Sequence, residues 1–244
     1  MRIKLDNSKI FTDIIGIISE LVMELKIKVN KDGLSATAID PANVAMANFK
    51  IPADLFSEFN ITRDHILGVN LEHLKAVLRR CRPGSSLILE REENTLKISI
   101  QDKIKRDFAL ALLDIDGEDK EFPSWEFASV IRMDADAFAE VIEDCMVVGD
   151  ACTFLAEPNT FVVESAGLNS ARAEFGGDDV EIISANSKAR FSLEYLAKFA
   201  KGAKISSRCV INFSTNHPMR LDFNPGTVTL SFVLAPRRIE GEEA

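Results

Sequence analysis

The chain has 244 residues, of which 46% are hydrophobic and 27% charged, a balance typical of a soluble globular protein with one or two domains. No apolar run is long enough to cross a bilayer, and residues 1–20 lack the layout of a signal peptide. The net charge of −9 argues against an ordinary nucleic-acid-binding protein, which usually carries an excess of basic residues.

The first half of the chain predicts strands and two helices. Apolar residues at spacings of three and four indicate a helix capped by Asp6, Asn7 or Ser8 and a second helix that begins at Asn70 and stops at Pro83-Gly84. Their buried faces are expected to contain Ile10, Ile14, Ile17 or Ile18, and Leu21, and then Leu71, Leu74, Leu78 and Cys81. The predicted strands are Arg2–Asp6, Lys26–Val29, Leu34–Ile39, Val44–Ile51, Leu87–Glu90, Leu96–Ile100 and Lys105–Leu113.

Residues 114–127 (DIDGEDKEFPSWEF) have six acidic side chains, a Gly and a Pro, and they show no apolar period. This stretch predicts an extended surface connector between a domain of residues 1–113 and a domain of residues 128–244 with an acidic tail. It also carries Phe122, Trp125 and Phe127, and Trp125 is the only tryptophan of the chain. Because a solvated linker has little use for aromatic side chains, we expect the connector to lie against another part of the protein.

The second half predicts the same order of elements. One helix is capped by Asp134 or Asp136, and another is capped by Ser192 and closed by Gly202. Their apolar faces are expected to contain Phe138, Val141, Ile142, Cys145 and Met146, and then Leu193, Leu196, Ala197 and Ala200. The predicted strands are Ser129–Met133, Thr153–Ala156, Phe161–Ser165, Ala171–Phe175, Val180–Ile183, Val210–Phe213, Met219–Phe223 and Val228–Leu234. A repeat of roughly 125 residues with this order indicates a duplicated α+β domain.

The residues that an enzyme would need are not found. The three histidines lie far apart, and the chain has no phosphate-binding loop and no nucleophile elbow. Gly177-Asp178-Asp179 is interpreted as a turn rather than a polymerase metal motif, and Asp114 and Asp116 as part of a solvated connector rather than a calcium loop. The four cysteines form no C-x-x-C pair and are expected to be reduced thiols of a cytosolic core. We therefore predict a protein without catalytic residues, a metal or a cofactor.

Three stretches point to a known family: AIDPANVAM at residues 38–46, VNLEHLKAVLR at residues 69–79 and VLAPRRIE at residues 233–240. With the connector and the duplicated halves, they resemble DNA sliding clamps of the archaeal and eukaryotic type, the proliferating cell nuclear antigen family. One departure is an additional arginine, Arg237 or Arg238, before Ile239. The resemblance implies the DNA clamp fold, in which each domain packs two helices on antiparallel sheet, and a ring of three subunits around duplex DNA.

The resemblance implies that edge strands of neighbouring subunits pair, and by position these are Lys105–Leu113 and Ser170–Phe175. The predicted interface residues are Phe108, Leu110, Leu112, Ala171, Ala173 and Phe175. Ordinary pairing within the chain is the alternative.

The resemblance also places helices along the hole of the ring. The predicted DNA contacts are basic residues on or after these helices: Lys9, Lys75, Arg79, Arg80, Arg82, Lys198, Lys201, Lys204 and Arg208. A solvated helix face, with Glu194 pairing Lys198, is the alternative interpretation. The helix from Asp134 carries only acidic residues on one stripe, so it either repels phosphate or indicates a heterotrimeric ring.

Clamps recruit polymerases, nucleases and ligases through a short peptide that enters a pocket beneath the connector. The residues that match this pocket are Ile39, Asn43, Val44, Met46, Phe122, Pro123, Pro218, Val233, Ala235 and Pro236. A set of plain core residues is the alternative, and we expect Phe122, Pro123 and Pro236 to be partly exposed. Val233 stands where some relatives carry an aromatic residue.

The resulting functional prediction is a polymerase processivity factor that is not an enzyme. It would bind duplex DNA without sequence preference, a clamp loader and replication and repair enzymes, in the cytoplasm with the nucleoid if archaeal or in the nucleus if eukaryotic. The alternative is a scaffolding or checkpoint subunit of a heteromeric ring.

Overall fold

The computed structural model describes residues 1–237 apart from 118, 119, 185 and 225, so the predicted tail residues Arg238, Ile239 and Glu240 lie outside the described part. The described chain contains four α-helices, and none of them is long and apolar enough to span a membrane. They are α1 (Lys9–Ile18), α2 (Leu71–Leu78), α3 (Ala135–Met146) and α4 (Leu193–Ala200). Short 3-10 helices lie at Ala53–Leu55 and Lys201–Lys204.

The chain divides into two compact units. The first contains Met1–Pro41, Ala47–Phe122 and Gly226–Thr229, and the second contains Ala42–Met46, Pro123–Pro225 and Leu230–Ala244. The strands up to the connector are β1 (Arg2–Leu5), β2 (Glu24–Asn30), β3 (Gly33–Ile39), β4 (Ala45–Pro52), β5 (Glu58–Asn60), β6 (His65–Asn70), β7 (Ser86–Glu92), β8 (Thr95–Gln101) and β9 (Lys105–Ala111). The strands after it are β10 (Ser129–Asp134), β11 (Ala151–Glu157), β12 (Thr160–Ala166), β13 (Ser170–Gly176), β14 (Val180–Ser184), β15 (Ser187–Ser192), β16 (Arg208–Phe213), β17 (Met219–Phe223) and β18 (Thr229–Leu234).

The two units repeat one sheet topology. The first unit has the strand order β5-β1-β7-β8-β9 in one sheet and the run β4-β3-β2-β6 in another. The second unit has the equivalent orders β14-β10-β16-β17-β18 and β13-β12-β11-β15. Neighbouring strands run antiparallel, as β1 does against β7 and β10 against β16. The predicted duplication of an α+β plan is therefore confirmed strand by strand.

Polar caps begin two of the helices where the sequence predicts them. The Asn70 side chain accepts a hydrogen bond from the His73 N–H at 2.9 Å, and Asp134 accepts one from the Ala137 N–H at 2.9 Å. Each bond satisfies one of the N–H groups that a helix leaves unpaired in its first turn. Ser192 precedes α4 as expected, but its hydroxyl makes no bond to the first turn of that helix.

The buried helix faces differ from the predicted ones at several positions. In α1 the residues that reach the core include Phe11 and Ile15, whereas Ile10 is only half-buried. Met146, predicted on the apolar face of α3, is 47% exposed because it lies at the last turn of the helix. Cys81 lies beyond the end of α2 and is half-buried, whereas the other three cysteines are buried as expected.

Phenylalanine side chains fill the core of the second unit. Phe154 on β11 is fully buried and packs edge-to-face against Phe161, Phe191 and Phe213, with ring centroids 5.4–5.9 Å apart. Phe138 of α3 adds a fourth edge-to-face contact at 6.3 Å. Each such pair contributes about 0.5–1.5 kcal/mol beyond the area that it buries. One aromatic cluster therefore joins α3 to the strands β11, β12, β15 and β16.

The chain is fixed to the first unit at Gly68 immediately before the connector begins. The Leu113 N–H donates to the Gly68 carbonyl at 2.8 Å, and a Cβ at position 68 would lie 2.1 Å from the Leu113 carbonyl oxygen. Farther along, the Lys26 ammonium donates to the Gly117 carbonyl at 2.6 Å. The absence of a side chain at Gly68 thus allows the chain to lie directly on β6 at this point.

Candidate functional site

Three of the predicted docking residues lie side by side in the second unit. Met219 pairs with Leu234 in the β17–β18 ladder, so the next residues outward are Pro218 and Ala235. The Ala235 N–H donates to the Val44 carbonyl at 2.8 Å. Since adjacent chains in such a ladder are about 4.8 Å apart, these segments form one continuous surface. Pro218, Ala235 and Val44 are all half-buried, so each also keeps an exposed part.

The turn before β4 brings Asn43 to this surface. Asn43 is exposed and has a φ of 57°, a left-handed conformation that asparagine tolerates better than most residues. Asp40, at the start of the turn, is only 5% exposed. The turn therefore presents the Asn43 amide next to Val44, and Met46 follows as a half-buried residue of the same unit.

Aromatic rings hold the second part of the connector on the second unit. Trp125 packs edge-on against His217 with 5.0 Å between ring centroids, and Phe127 lies 6.0 Å from the same imidazole. The Ala128 N–H donates to the Ser214 hydroxyl at 2.9 Å. The expectation that the aromatic connector lies against the protein is confirmed here. The sequence did not single out His217, and only its position beside Pro218 could have indicated it.

The remaining docking residues have mixed placements. Phe122, Pro123 and Pro236 are partly exposed, as predicted. Val233 is 5% exposed, so in the structure it is a core residue, as the alternative interpretation has it, and offers a peptide almost no surface. Ile39 and Phe122 are half-buried residues of the first unit.

The basic residues of α2 form an exposed cluster at the end of that helix. Arg79, Arg80 and Arg82 are exposed, and Lys75 is half-buried one turn earlier. Positive charge at a helix C-terminus is favourable because the carbonyl groups there carry partial negative charge. The helix end therefore stabilises these cations, and their exposure leaves them accessible to an anion.

The basic residues of the second unit are partly engaged by neighbouring groups. Lys198 forms an ion pair with Glu194 at 2.9 Å, and its ammonium lies 5.1 Å from the Tyr195 ring centre. The predicted Glu194–Lys198 pair is thus present in the structure. Arg208 is exposed at the start of β16. In the first unit, the predicted DNA contact Lys9 forms an ion pair with Asp13 at 2.5 Å.

A groove of 490 Å³ runs between α3 and the segment of α4 with the following 3-10 helix. Asp136 and Glu143 line it from α3, and Lys201 and Lys204 line it from the opposite side. The rest of its lining is apolar, namely Ala139, Ile142, Met146, Ala197, Ala200 and Ala203. The exposed acidic stripe of α3 thus shares one surface with two of the predicted DNA contacts.

Both strands predicted to join subunits lie at sheet edges. β9 is the last strand of the order β5-β1-β7-β8-β9, and β13 is the first of β13-β12-β11-β15. One face of each strand is half-buried while the other is exposed. The half-buried residues include all six predicted interface residues, namely Phe108, Leu110, Leu112, Ala171, Ala173 and Phe175. Their position is as predicted, and their role at a subunit interface stays a prediction.

Metal-binding clusters and reactive thiols are two features that a catalytic site could use. Among the described residues, no group of three or more His, Cys, Asp or Glu residues is arranged to hold a metal ion. Burial raises the pKa of the Cys209 thiol to about 12 and raises the pKa of Cys152 well above its usual value. These thiols are therefore protonated and poor nucleophiles at neutral pH.

Comparisons with known proteins agree with the duplicated architecture. Residues 1–121 match the model for the N-terminal domain of proliferating cell nuclear antigen, and residues 121–238 match that for its C-terminal domain. A crystal structure of proliferating cellular nuclear antigen from Entamoeba histolytica shares the fold with a TM-score of 0.91. That likeness has 21% sequence identity and covers 97% of this chain and 98% of the other.

Curated relatives cover nearly the whole chain. DNA polymerase sliding clamps from Thermococcus sibiricus and Thermococcus fumicolans are 30% and 29% identical, over 97% of this chain and 98% of each relative. The family models and these relatives span both units. The chain therefore belongs to the proliferating cell nuclear antigen family.

Proposed function

We infer that this chain is a DNA polymerase sliding clamp, a processivity factor for replication. The observation that carries this conclusion is the full-length match to the family in both units, together with relatives of that name at 29–30% identity. As a clamp it would hold other proteins on DNA and supply no chemistry of its own. Relatives from Thermococcus favour a place with the nucleoid over a nuclear one.

The chain assembles in this proposal as a ring of three. Within the described chain, β9 and β13 each have a neighbouring strand on one side only, and the half-buried face of each strand is mostly apolar. Pairing β9 of one copy with β13 of the next would satisfy the N–H and C=O groups of both edges and cover those faces. Because the two edges differ, the contact is head-to-tail, and such contacts close into rings when the rotation between copies allows it.

The ring retains DNA by linkage rather than by affinity. Three copies carry three times −9, or −27, a charge that opposes tight binding to phosphate. The proposed contacts are therefore weak and independent of base sequence, and they are made through basic residues such as Arg79, Arg82 and Lys201. The exposed end of α2 supports this assignment.

Replication and repair enzymes bind, in this proposal, through short peptides on the second unit. Val44, Pro218, Ala235 and Pro236 supply half-buried apolar surface, and Asn43 supplies an exposed amide at its rim. A small apolar surface with polar groups at its edge suits a peptide with a few aliphatic and aromatic anchors. Polymerases, nucleases, ligases and the clamp loader are the proposed partners.

A heteromeric ring is the second candidate, and the acidic stripe of α3 is the observation that favours it. Asp136, Glu140, Glu143 and Asp144 are all exposed, which suits a chain whose sister subunits supply more of the DNA contacts.

The mass of the purified chain in solution tests the assembly. We expect about three times 27.0 kDa for the wild type and a shift to monomer for Leu110→Asp, which places a charge on the half-buried face of β9. Ile66→Asp is the matched control, because Ile66 is 54% exposed on β6, another edge strand of the same unit. A wild-type monomer that assembles only with sister chains would favour the heteromeric candidate. A monomer under both conditions would contradict the ring.

A further inference from the structure

The segment that follows β18 is held to the second unit at two points. The Ala235 N–H donates to the Val44 carbonyl at 2.8 Å, and the Arg237 N–H donates to the Arg190 carbonyl at 2.7 Å. The second bond is part of an isolated antiparallel bridge between Arg190 and Arg237. Pro236 lies between the two points, is partly exposed, and has no N–H of its own. Its orientation is therefore determined by the residues on either side.

The Arg237 side chain adds a second attachment. One guanidinium nitrogen donates to the Asp150 carboxylate at 2.7 Å, and the other donates to the Ser192 hydroxyl at 3.4 Å. The guanidinium lowers the pKa of Asp150, first through this hydrogen bond and then through its charge. Asp150 itself is anchored, because its backbone carbonyl accepts a hydrogen bond from the Leu193 N–H at 3.0 Å.

The Ser192 hydroxyl indicates that this attachment is more than a chance surface contact. Ser192 occupies the position that caps α4, where a serine usually accepts a bond from an N–H of the first turn. In this structure it makes no such bond, and it accepts one from Arg237 instead. The guanidinium thus lies on a fixed part of the unit, between the loop after α3 and the beginning of α4.

We propose that Arg237 is a positioning residue for partner binding, holding Ala235 and Pro236 in place through Asp150 and Ser192. This inference rests on the proposed docking of peptides on the second unit. Ion pairs between exposed side chains contribute little to folding stability, and Asp150 and Arg237 are 79% and 43% exposed. The pair instead orders a short segment before a peptide arrives, which reduces the ordering cost of binding.

The proposal gives a function to Arg237, one of the two candidates for the additional arginine seen in the sequence. A chain that ends at Pro236 would leave the docking segment attached only at Ala235, and the segment would be free to move about that point. With Arg237 present, the segment has a backbone bridge and a salt bridge one residue after Pro236. Affinity for a peptide should then depend on the charge pair even though neither charge belongs to the apolar docking surface.

The test is a titration of the full-length chain with one labelled synthetic peptide, a Gln followed by an aliphatic residue and two adjacent aromatics. We expect Arg237→Ala and Asp150→Ala each to weaken binding about three- to tenfold through faster dissociation, with the double variant no weaker than either single one. Arg237→Lys should retain part of the affinity. The swapped pair Arg237→Asp with Asp150→Arg should recover more affinity than Arg237→Asp alone, a result that a purely structural defect would not produce.

Arg132→Ala is the matched control, because Arg132 is an exposed arginine of the same unit that pairs with Glu181. It should bind the peptide like the wild type, and all variants should keep the wild-type Tm and mass. Wild-type affinity in both Arg237→Ala and Asp150→Ala, with Pro236→Ala still weakened, would overturn the positioning role and leave the docking site standing. Failure of the wild type to bind the peptide would instead overturn the proposed docking function.

Discussion

Substitution of Pro236 is the simplest test of the docking proposal. Its ring is partly buried against the second unit and partly open to a ligand. Truncation of an apolar residue at the centre of an interface typically costs roughly 1–2 kcal/mol of binding. We therefore expect Pro236→Ala to weaken the labelled peptide by that amount without changing the mass of the assembly.

The matched control for that variant is Pro158→Ala. Pro158 is an exposed proline in the turn between β11 and β12, so its replacement makes the same chemical change away from the proposed surface. Equal affinities for the wild type and both variants, measured by fluorescence anisotropy, would place the docking surface on other residues.

His65 makes the stability of the first unit sensitive to acid. It is 8% exposed, and neither ring nitrogen has a hydrogen-bond partner among the described residues. Desolvation by burial lowers its pKa below 6.5, and the charges of the N-terminus, Arg91 and Arg63 lower it further, against the smaller effect of Asp64. The folded state therefore binds a proton less readily than the unfolded chain. Stability should be full above pH 6.5 and should fall as the pH drops below that value.

The measurement is the Tm of the wild type and of His65→Leu between about pH 7.5 and about pH 5, a range that spans the usual histidine pKa. We expect the wild-type Tm to fall over this range and the His65→Leu variant to fall less. The pKa of Asp102 is lowered, first by the hydrogen bond from the Ile104 N–H and then by Arg106, so this carboxylate loses its contribution only at more acidic pH. His73→Gln, at an exposed histidine of α2, should behave like the wild type, and equal slopes for all three proteins would rule out His65 as the source.

At the scale of elements, the sequence predicted the helices and most strands but missed three: the short β5, β6 and β15. In β6 the apolar alternation is inverted, because His65 points inward while Ile66 is 54% exposed. In β15 the inward residues include Ser187 and Ala189, which are too small to mark a hydrophobic face. Long strands with large alternating residues, such as β8 with Leu96, Ile98 and Ile100, were found within a residue at each end.

The parts of the candidate site that lie within local sequence motifs could be predicted from the sequence. The turn at residues 41–44 and the segment after β18 were identified from their residues, and the partial exposure of Pro123 and Pro236 followed. The sequence did not predict the aromatic contact of Trp125 with His217 or the salt bridge of Arg237 with Asp150. Both join residues about ninety positions apart, and single-sequence periodicity carries no information on such pairs.

The α3 helix should limit the affinity of the clamp for DNA. Asp136 and Glu143 line the same groove as Lys201 and Lys204, so a phosphate near those lysines also approaches two carboxylates. We expect Asp136→Asn with Glu143→Gln to bind a short linear duplex about two- to tenfold more tightly, because a repulsive contribution is removed. Fluorescence anisotropy at several salt concentrations measures this directly.

A variant with the same change in net charge serves as the control. Asp178→Asn with Asp179→Asn neutralises two exposed carboxylates in the turn between β13 and β14, which do not line the groove. Beyond about 10 Å, salt at about 0.1 M screens most of such a charge. If both double variants gain affinity equally, the effect is one of net charge, and the proposed role of α3 is wrong.

At the scale of the whole molecule, weak contacts and a negative charge are compatible with lasting attachment to DNA. A closed ring leaves a duplex only by opening or by reaching an end, so its retention does not depend on the contact energy. The charge of −9 per chain then keeps the surface from binding DNA tightly along its length. In this proposal, linkage to DNA and affinity for DNA are therefore separate properties of the protein.

Retention on circular DNA distinguishes linkage from affinity. The chain is loaded onto a nicked circular plasmid with a clamp loader, the complex is washed in high salt, and the bound protein is measured before and after the plasmid is linearised. We predict that the protein survives the salt wash on the circle and is lost once the DNA is cut. Equal loss from circular and linear plasmid in the same wash would contradict topological linkage and with it the sliding-clamp account.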